Sequence, residues 1–267
     1  MTAPAILALD FDGVLCDGLI EYFQTAWRAY CQLFLDAESS PPEGLAEQFY
    51  PLRPVIETGW EMPLLLHALQ QGVSAEAVLD HWPTLVQALL ADTSLQPDVA
   101  MAAVDGVRDL WIKTDLDNWL SLHRFYPGVI DRLQGAIAAG IFPIIISTKE
   151  GRFIQALLAQ AGVDLPREQI IGKEINQPKT DTLKQLQQSS AAEVSSPVPI
   201  WFIEDRLKTL DKVKAVDDLQ EIVLFLADWG YNTADERARA ASDSRIHLLS
   251  LSQLVREFSV WQVAASE

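Results

Sequence analysis

The second half of the chain alternates short, continuously apolar runs with amphipathic segments, and this alternation is the strongest constraint on the fold. Runs at 141–146, 200–203 and 222–226 are apolar at nearly every position. Such strands are buried on both faces, which is typical of a parallel sheet covered by helices. The pattern predicts an α/β fold with a doubly wound, mostly parallel sheet. The predicted helices cover 129–139, 151–161, 180–188 and 207–215, and two further strands are predicted at 169–172 and 246–248.

Two aspartates stand at the end of the first apolar run, 6–9. Side chains two residues apart in a strand point to the same face, so Asp10 and Asp12 should emerge together. Two carboxylates in so small a space are tolerated when a divalent cation lies between them or when one keeps its proton. Both conditions are characteristic of phosphoryl-transfer sites. The alternative is that Asp10, Asp12 and Gly13 only close the strand as turn-forming residues.

Polar residues also end two later strands. Ser147 and Thr148 directly follow the run 141–146, and Glu204 and Asp205 follow the next long run. Ligands of open parallel sheets bind beyond the carboxyl ends of the strands, so these residues predict one site shared with the first strand. Taken singly, each pair is also typical of a helix N-cap.

The order of these groups resembles the four motifs of the haloacid dehalogenase superfamily of phosphohydrolases. An Asp-x-Asp-Gly-Val segment at Asp10, a strand ending in Ser147, a lysine, and a strand ending in Glu204 and Asp205 follow one another as in that family. The Tyr-Pro-Gly-Val at 126–129 is similar to the segment by which that family's chain re-enters its core. The Ser-Thr-Lys that begins at Ser147 is similar to its Thr-Asn-Lys. The resemblance covers nearly the whole predicted core and implies a Rossmann-like core domain.

The resemblance implies a role for each residue in phosphate-ester hydrolysis. Asp10 would be the nucleophile that forms an aspartyl-phosphate, and Asp12 the general acid and base. Ser147 would bind a phosphoryl oxygen, and Thr148 is a candidate substrate contact. Mg²⁺ is the implied cofactor. Its implied ligands are Asp10, Asp12 through its backbone carbonyl, and Asp205, with Glu204 nearby.

Two lysines are candidates for the third motif. We favour Lys179 over Lys173 because Lys179 stands next to a proline at the start of a predicted helix, which resembles the family's Lys-Pro segment, although the proline comes before the lysine here. Thr209 occupies the place where the common fourth motif has a second acid. Glu204 and Asp205 instead resemble the family's Asp-Asp variant, which leaves open which of the two contacts the metal.

A long insertion separates the first two motifs. Asp12 and Ser147 lie 135 positions apart, far more than a crossover between neighbouring parallel strands needs. Helical patterns fill the insertion, so we predict an α/β core domain at 1–16 and 125–267 and a helical cap domain at 17–124, similar to the family's first cap type.

A cap that closes over a substrate strengthens the charge interactions beneath it. Predicted cap helices cover 19–35, 64–71, 75–90 and 99–122, and the candidate substrate contacts in the cap are Arg53, Glu21, Arg28, Glu57 and Glu61.

Composition argues against several classes of protein. The formal net charge is −17 with no lysine or arginine cluster, which argues against a nucleic-acid partner. No apolar segment approaches the roughly 20 residues of a membrane span. The first five residues carry no basic region, so we also expect no secretory signal. Cys16 and Cys31 lack a metal-ligand spacing, which favours a reducing, cytoplasmic location. The sequence does not indicate an oligomeric state.

The predicted function is a magnesium-dependent phosphatase that acts on a small-molecule phosphate monoester. The resemblance also bears on the reaction, because dehalogenases of this fold lack the second aspartate, since a halide leaving group needs no proton. Asp12 therefore argues against that activity. Two alternatives remain. One is a phosphomutase of the β-phosphoglucomutase type, which shares the motifs and the cap, and the other is a non-catalytic binding protein on the same scaffold.

Overall fold

A six-stranded parallel sheet forms the centre of the fold. The structure is a computed structural model that describes residues 3–35, 40–193 and 198–261. The strands within these residues are β1 (Ile6–Leu9), β2 (Cys16–Asp17), β3 (Arg124–Phe125), β4 (Phe142–Ile146), β5 (Ile170–Ile171), β6 (Ile200–Glu204), β7 (Val223–Ala227) and β8 (Ile246–Leu249). The sheet has the order β5–β4–β1–β6–β7–β8, and all its pairings are parallel. The predicted doubly wound α/β architecture is therefore confirmed.

The central strands are buried on both faces, as their apolar runs predict. Every residue of β1 and β6 is buried, and in β4 only Phe142 is exposed. Because side chains alternate between the two faces, such strands need helices on both sides. One face packs Ala8, Ile144, Phe202 and Leu224 into a common apolar cluster.

Helices connect the strands and fill the long insertion. Within the described part of the chain they are α1 (Leu19–Tyr30), α2 (Leu45–Phe49), α3 (Glu61–Gln70), α4 (Ala75–Thr93), α5 (Pro97–Thr114), α6 (Leu116–Ser121), α7 (Val129–Ala138), α8 (Gly151–Gln160), α9 (Lys179–Glu193), α10 (Leu207–Lys214), α11 (Ala234–Ala241) and α12 (Leu251–Leu254). None of these helices is both long and apolar enough to cross a membrane.

Two predicted helices differ from the observed ones. The helix predicted at 99–122 divides at Asp115, which has a φ of −154° and whose side chain accepts the N–H of Asn118. Asp115 thereby ends α5 and caps α6. The helix predicted at 19–35 is α-helical to Tyr30 and then widens into a π-helical turn over Cys31–Leu35.

The described chain divides into two compact units. The first comprises the described residues of Met1–Asp17 and Arg124–Glu267 and contains the six-stranded sheet, and the second is Gly18–His123. Strands β2 and β3 pair antiparallel where the chain leaves the first unit and returns to it, with Asp17 opposite Arg124. The outermost residues of the predicted core domain, 1–2 and 262–267, lie outside the described residues.

Candidate active site

The parallel register brings the predicted site residues to one edge of the sheet. Leu9 lies opposite Ile203 on the neighbouring strand β6, and the N–H of Asp10 donates to the Ile203 carbonyl at 2.9 Å. Asp10 thus follows β1 at the level where Glu204 ends β6. Ser147 directly follows β4, the other neighbour of β1. The carboxyl ends of these three strands therefore form the floor of the candidate site.

Three buried carboxylates converge at this edge. One oxygen from each of Asp10, Glu204 and Asp205 lies within 4.8 Å of the others. The three residues are only 8%, 1% and 1% exposed. Carboxylate oxygens are the ligands that Mg²⁺ prefers, so the three carboxylates have the right chemistry to hold this ion.

Lys179 is the cation that contacts this cluster. Its Nζ lies 2.9 Å from Oδ1 of Asp10 and donates to Oε2 of Glu204 at 2.7 Å. The other oxygen of Glu204 accepts the N–H of Arg206 at 3.1 Å. Lys173, the alternative for the third motif, is exposed. The structure thus brings Lys179, rather than Lys173, to the acids.

Burial and mutual repulsion perturb the titration of the cluster. Burial raises the pKa of Asp10 to about 6, with Glu204 and Asp12 adding repulsion and Lys179 opposing the rise. Burial, together with repulsion from Glu204 and Asp10, also raises the pKa of Asp205. Burial would lower the pKa of Lys179, but the neighbouring carboxylates outweigh it and raise this pKa. Lys179 is therefore charged, while Asp10 and Asp205 resist ionisation because they are buried.

The loop after β7 fixes the position of Asp205. The N–H of Tyr231 donates to Oδ2 of Asp205 at 2.7 Å. The side-chain amide of Asn232 donates to the backbone carbonyls of Asp205 at 2.9 Å and Ala227 at 2.8 Å. Asn232 is 2% exposed. This loop therefore connects Asp205, in the fourth motif, to the end of the neighbouring strand β7 by hydrogen bonds.

Two glycines leave room for the Asp205 side chain. A Cβ at Gly13 would overlap the Asp205 carboxylate, and a Cβ at Gly230 would overlap its Cβ. Gly13 also has a φ of +84°, which disfavours residues with side chains. The turn after Asp12 thus requires glycine for both backbone and space.

Asp12 and Lys149 form a second ion pair at the same edge of the sheet. Nζ of Lys149 lies 3.2 Å from Oδ1 and 3.3 Å from Oδ2 of Asp12. Ser147 is buried and its Oγ accepts the N–H of Lys149 at 3.3 Å. Thr148 is exposed. Asp12 and Ser147 are thus joined through Lys149.

The predicted substrate contact Arg53 belongs to the second unit. Its Nη1 donates to the Ile56 carbonyl at 3.1 Å, and its guanidinium carbon lies 4.8 Å from the centre of the Tyr22 ring. The guanidinium carbon of Arg28, a further candidate, lies 3.6 Å from the centre of the Trp111 ring. The role of Arg53 in substrate binding stays a prediction.

Glu21 and Glu61, two more candidates, bind groups inside the second unit. The fully buried Glu21 accepts hydrogen bonds from Arg108 at 2.8 Å and from Trp119 at 3.0 Å. Glu61 accepts one from Trp82 at 2.9 Å. We assign both carboxylates to the packing of this unit. Glu57 is exposed.

Sequence reasoning assigned no role to Lys149, Tyr231 and Asn232, although the segment 229–233 resembles a loop near the site in the family. A signal existed for Lys149, because it completes the Ser-Thr-Lys that resembles the family's second motif. The loop with Tyr231 and Asn232 follows a core strand, as all the other site residues but Lys179 do. Cys16, by contrast, is buried and free, and burial raises its pKa well above the ordinary range, so its thiol stays protonated.

Solved structures with the same architecture include a haloacid dehalogenase-like family hydrolase from Streptococcus pneumoniae. It has a TM-score of 0.56 and 15% identity over 94% of this chain and 95% of its own. A predicted phosphatase from Clostridium acetobutylicum has a TM-score of 0.55 and 15% identity, and the match covers 95% of this chain and 97% of the phosphatase. A predicted phosphoglycolate phosphatase from Haemophilus somnus has a TM-score of 0.54 and 16% identity, and the match covers 87% of this chain and 88% of its own.

No protein-family model matches the sequence, and no curated protein matches it. The structural likeness extends over most of the chain at identities that establish the fold alone. It agrees with the order of the sequence motifs and confirms the fold that the resemblance implies. The chain therefore has the haloacid dehalogenase-like fold.

Proposed function

We propose that this protein is a phosphatase that hydrolyses a small-molecule phosphate monoester with the help of Mg²⁺. The observation that carries the proposal is the buried group of Asp10, Glu204 and Asp205, whose oxygens lie within 4.8 Å of one another. Lys179 forms ion pairs with two of these carboxylates, Asp10 and Glu204. Such a cluster stands at the sheet edge where open parallel sheets bind ligands.

The charges of the cluster fit a divalent cation. Three carboxylates and the ammonium of Lys179 leave two net negative charges when all are ionised. Burial, with added repulsion from neighbouring carboxylates, raises the pKa values of Asp10 and Asp205. Asp10, Asp205 and the backbone carbonyl of Asp12 would hold Mg²⁺, with Glu204 beside them. The bound ion would neutralise the carboxylates and the incoming phosphate.

Asp10 is the proposed nucleophile. Its carboxylate oxygen attacks phosphorus, the bond from phosphorus to the leaving oxygen breaks, and an aspartyl-phosphate forms on Asp10. Lys179 holds the attacking carboxylate through its contact with Oδ1. Its charge also offsets the negative charge of the phosphoryl group.

Asp12 is the proposed proton carrier, and Ser147 the proposed phosphate contact. Asp12 gives a proton to the leaving oxygen and then takes one from the water that hydrolyses the aspartyl-phosphate. The hydroxyl of Ser147 donates to a phosphoryl oxygen. Thr148 and Arg53 stay candidate substrate contacts.

The test is hydrolysis of a panel of metabolite phosphates by the purified full chain. We expect Mg²⁺-dependent release of inorganic phosphate that is absent in Asp10→Asn. Because one structural neighbour is named a predicted phosphoglycolate phosphatase, 2-phosphoglycolate belongs in the first panel. Isomerisation of a sugar phosphate without phosphate release would indicate a mutase instead. No turnover above the Asp10→Asn control on any substrate would favour a binding role.

A further inference from the structure

Asp10 and Asp12 differ in their surroundings although they stand two residues apart. Strand β1 ends at Leu9, so both aspartates lie in the loop beyond it rather than in the strand. The described acidic cluster nevertheless takes its three carboxylates from Asp10, Glu204 and Asp205, without Asp12. A free carboxylate so close to a cation would be a competing ligand, because Mg²⁺ prefers carboxylate oxygens. The Asp12 carboxylate instead contacts a lysine, Lys149.

Lys149 contacts both oxygens of Asp12. Its Nζ lies 3.2 Å from Oδ1 and 3.3 Å from Oδ2. The Lys149 side chain is 8% exposed and that of Asp12 is 17% exposed. An ion pair so well shielded from water is stronger than one at the surface and restricts the carboxylate to one orientation.

The position of the Lys149 ammonium is set by the loop that follows β4. The N–H of Lys149 donates to Oγ of Ser147 at 3.3 Å, and its carbonyl accepts the N–H of Lys173 at 3.0 Å. Hydrogen bonds therefore fix the backbone N–H and the backbone carbonyl of Lys149, which flank its side chain. The loop that carries the proposed phosphate contact also orients the proposed proton carrier.

We propose that Lys149 is a positioning residue that keeps the Asp12 carboxylate apart from the acidic cluster and directs it to the leaving oxygen. This inference rests on the proposed phosphatase function. Each aspartate at the sheet edge then has its own lysine, because Lys179 pairs with Asp10 and Lys149 pairs with Asp12. The contacts of Lys149 with both oxygens of Asp12 restrict the orientation of this carboxylate in the resting enzyme.

The experiment compares substrates that differ in their need for a proton. Alkyl phosphates, such as 2-phosphoglycolate, have leaving oxygens that must be protonated, whereas the leaving group of 2,4-dinitrophenyl phosphate departs as an anion. We expect Lys149→Met to lower kcat for the alkyl phosphate by about 100-fold, as expected when a general acid is misplaced. Dinitrophenyl phosphate should lose only about threefold, since its bond breaks without the acid.

A second set of variants separates positioning from folding. Asp12→Asn should give the same split between the substrates, and Lys149→Met should have little further effect in the Asp12→Asn background. Lys149→Arg, which keeps the charge, should recover part of the lost rate. Lys173→Met, at a neighbouring exposed lysine, is the matched control and should retain wild-type kcat for both substrates.

The inference is overturned if Lys149→Met slows both substrates equally or adds its full effect to Asp12→Asn. Equal loss in a folded variant would mean that Lys149 acts on the nucleophilic step or only on packing. Failure of the proposed function is distinguishable, because the wild-type chain would then hydrolyse neither substrate above the Asp10→Asn control.

Discussion

At the scale of single residues, the site depends on positions where a side chain is absent as much as on its carboxylates. Gly13 and Gly230 border Asp205 so closely that a Cβ at either one would overlap it. Asp205 therefore keeps its place, with Oδ2 on the N–H of Tyr231, only while both glycines remain. This gives the turn after the first motif a steric role besides its role in chain reversal.

Gly13→Ala tests that role. We expect a loss of kcat/KM of about 100-fold or more, because the new methyl group displaces Asp205 from Asp10 and Glu204. The positive φ adds a strain of about 1–2 kcal/mol. Gly140→Ala is the matched control, since Gly140 has a φ of +79° with open space around its missing Cβ. Steady-state kinetics and urea unfolding of both variants separate displacement from strain. Equal kinetic effects would contradict the steric explanation.

Lys179→Met tests the charge balance of the cluster. Removal of the ammonium leaves Asp10 and Glu204 without the cation they share. We expect kcat/KM to fall by about 100- to 1,000-fold, because the nucleophile loses its contact and the phosphate loses a positive charge. Kinetics at saturating Mg²⁺ measure the loss. Retention of the wild-type rate would remove Lys179 from the mechanism.

Residues that directly follow a strand were predictable, and residues that bond through the backbone were not. Asp10, Ser147 and Asp205 directly follow strands β1, β4 and β6, so their place at one edge of the sheet follows from the parallel register. Tyr231 acts on Asp205 through its N–H, which any residue except proline supplies. The identity of such a residue carries no sequence signal.

At the scale of elements, the loop between β7 and α11 serves as a brace for the fourth motif. Asn232 connects the end of β7 to Asp205 through two buried hydrogen bonds, and Thr233 caps α11 directly afterwards. The loop is therefore anchored at one end by strand β7 and at the other by helix α11.

Asn232→Ala tests the brace. The change leaves the buried carbonyls of Asp205 and Ala227 without this donor, which we expect to cost about 2–4 kcal/mol of unfolding free energy. Activity should fall together with stability, because Asp205 loses its anchor. Urea unfolding and steady-state kinetics measure the two effects. Thr233→Ala, which loses only the helix cap, should cost about 1 kcal/mol and little activity. Identical behaviour of the two variants would argue against the brace.

The strands were more predictable than the helices. Each core strand is an apolar run whose ends are marked by polar residues, and the observed strands agree with the predictions within about one or two residues. Helix α11 was not predicted, because only Ala240 among its residues is buried and no apolar stripe marks it. The break at Asp115 was missed because its capping bond depends on a local backbone conformation rather than on periodicity.

At the scale of the whole molecule, the acidic cluster should reduce the stability of the fold when no metal is bound. The folded state raises the pKa of Asp10 from 3.8 to about 6, so folding favours the protonated acid. The resulting stabilisation is complete below pH 3.8 and is lost as the pH rises through 6. Above that range the ionised carboxylate lowers the free energy of unfolding.

Asp10→Asn should therefore stabilise the metal-free protein. Near pH 7 in EDTA we expect a gain of about 2–3 kcal/mol in unfolding free energy, from the shift in pKa. The gain should shrink near pH 5, because the wild-type acid is then mostly protonated in the folded state. Urea unfolding at both pH values measures the difference. Asp164→Asn, at an exposed position, should change little, and a pH-independent gain would contradict the electrostatic origin.

The antiparallel pairing of β2 with β3 has a consequence for protein engineering. Because Cys16 lies opposite Phe125 and Asp17 opposite Arg124, the outgoing and returning backbones are already adjacent where the insertion begins and ends. A tight two-residue hairpin of the Asn-Gly type fits between paired strands of this kind. Gly18–His123 can then be excised, or exchanged for a foreign module, while every hydrogen bond of the six-stranded sheet keeps its partner.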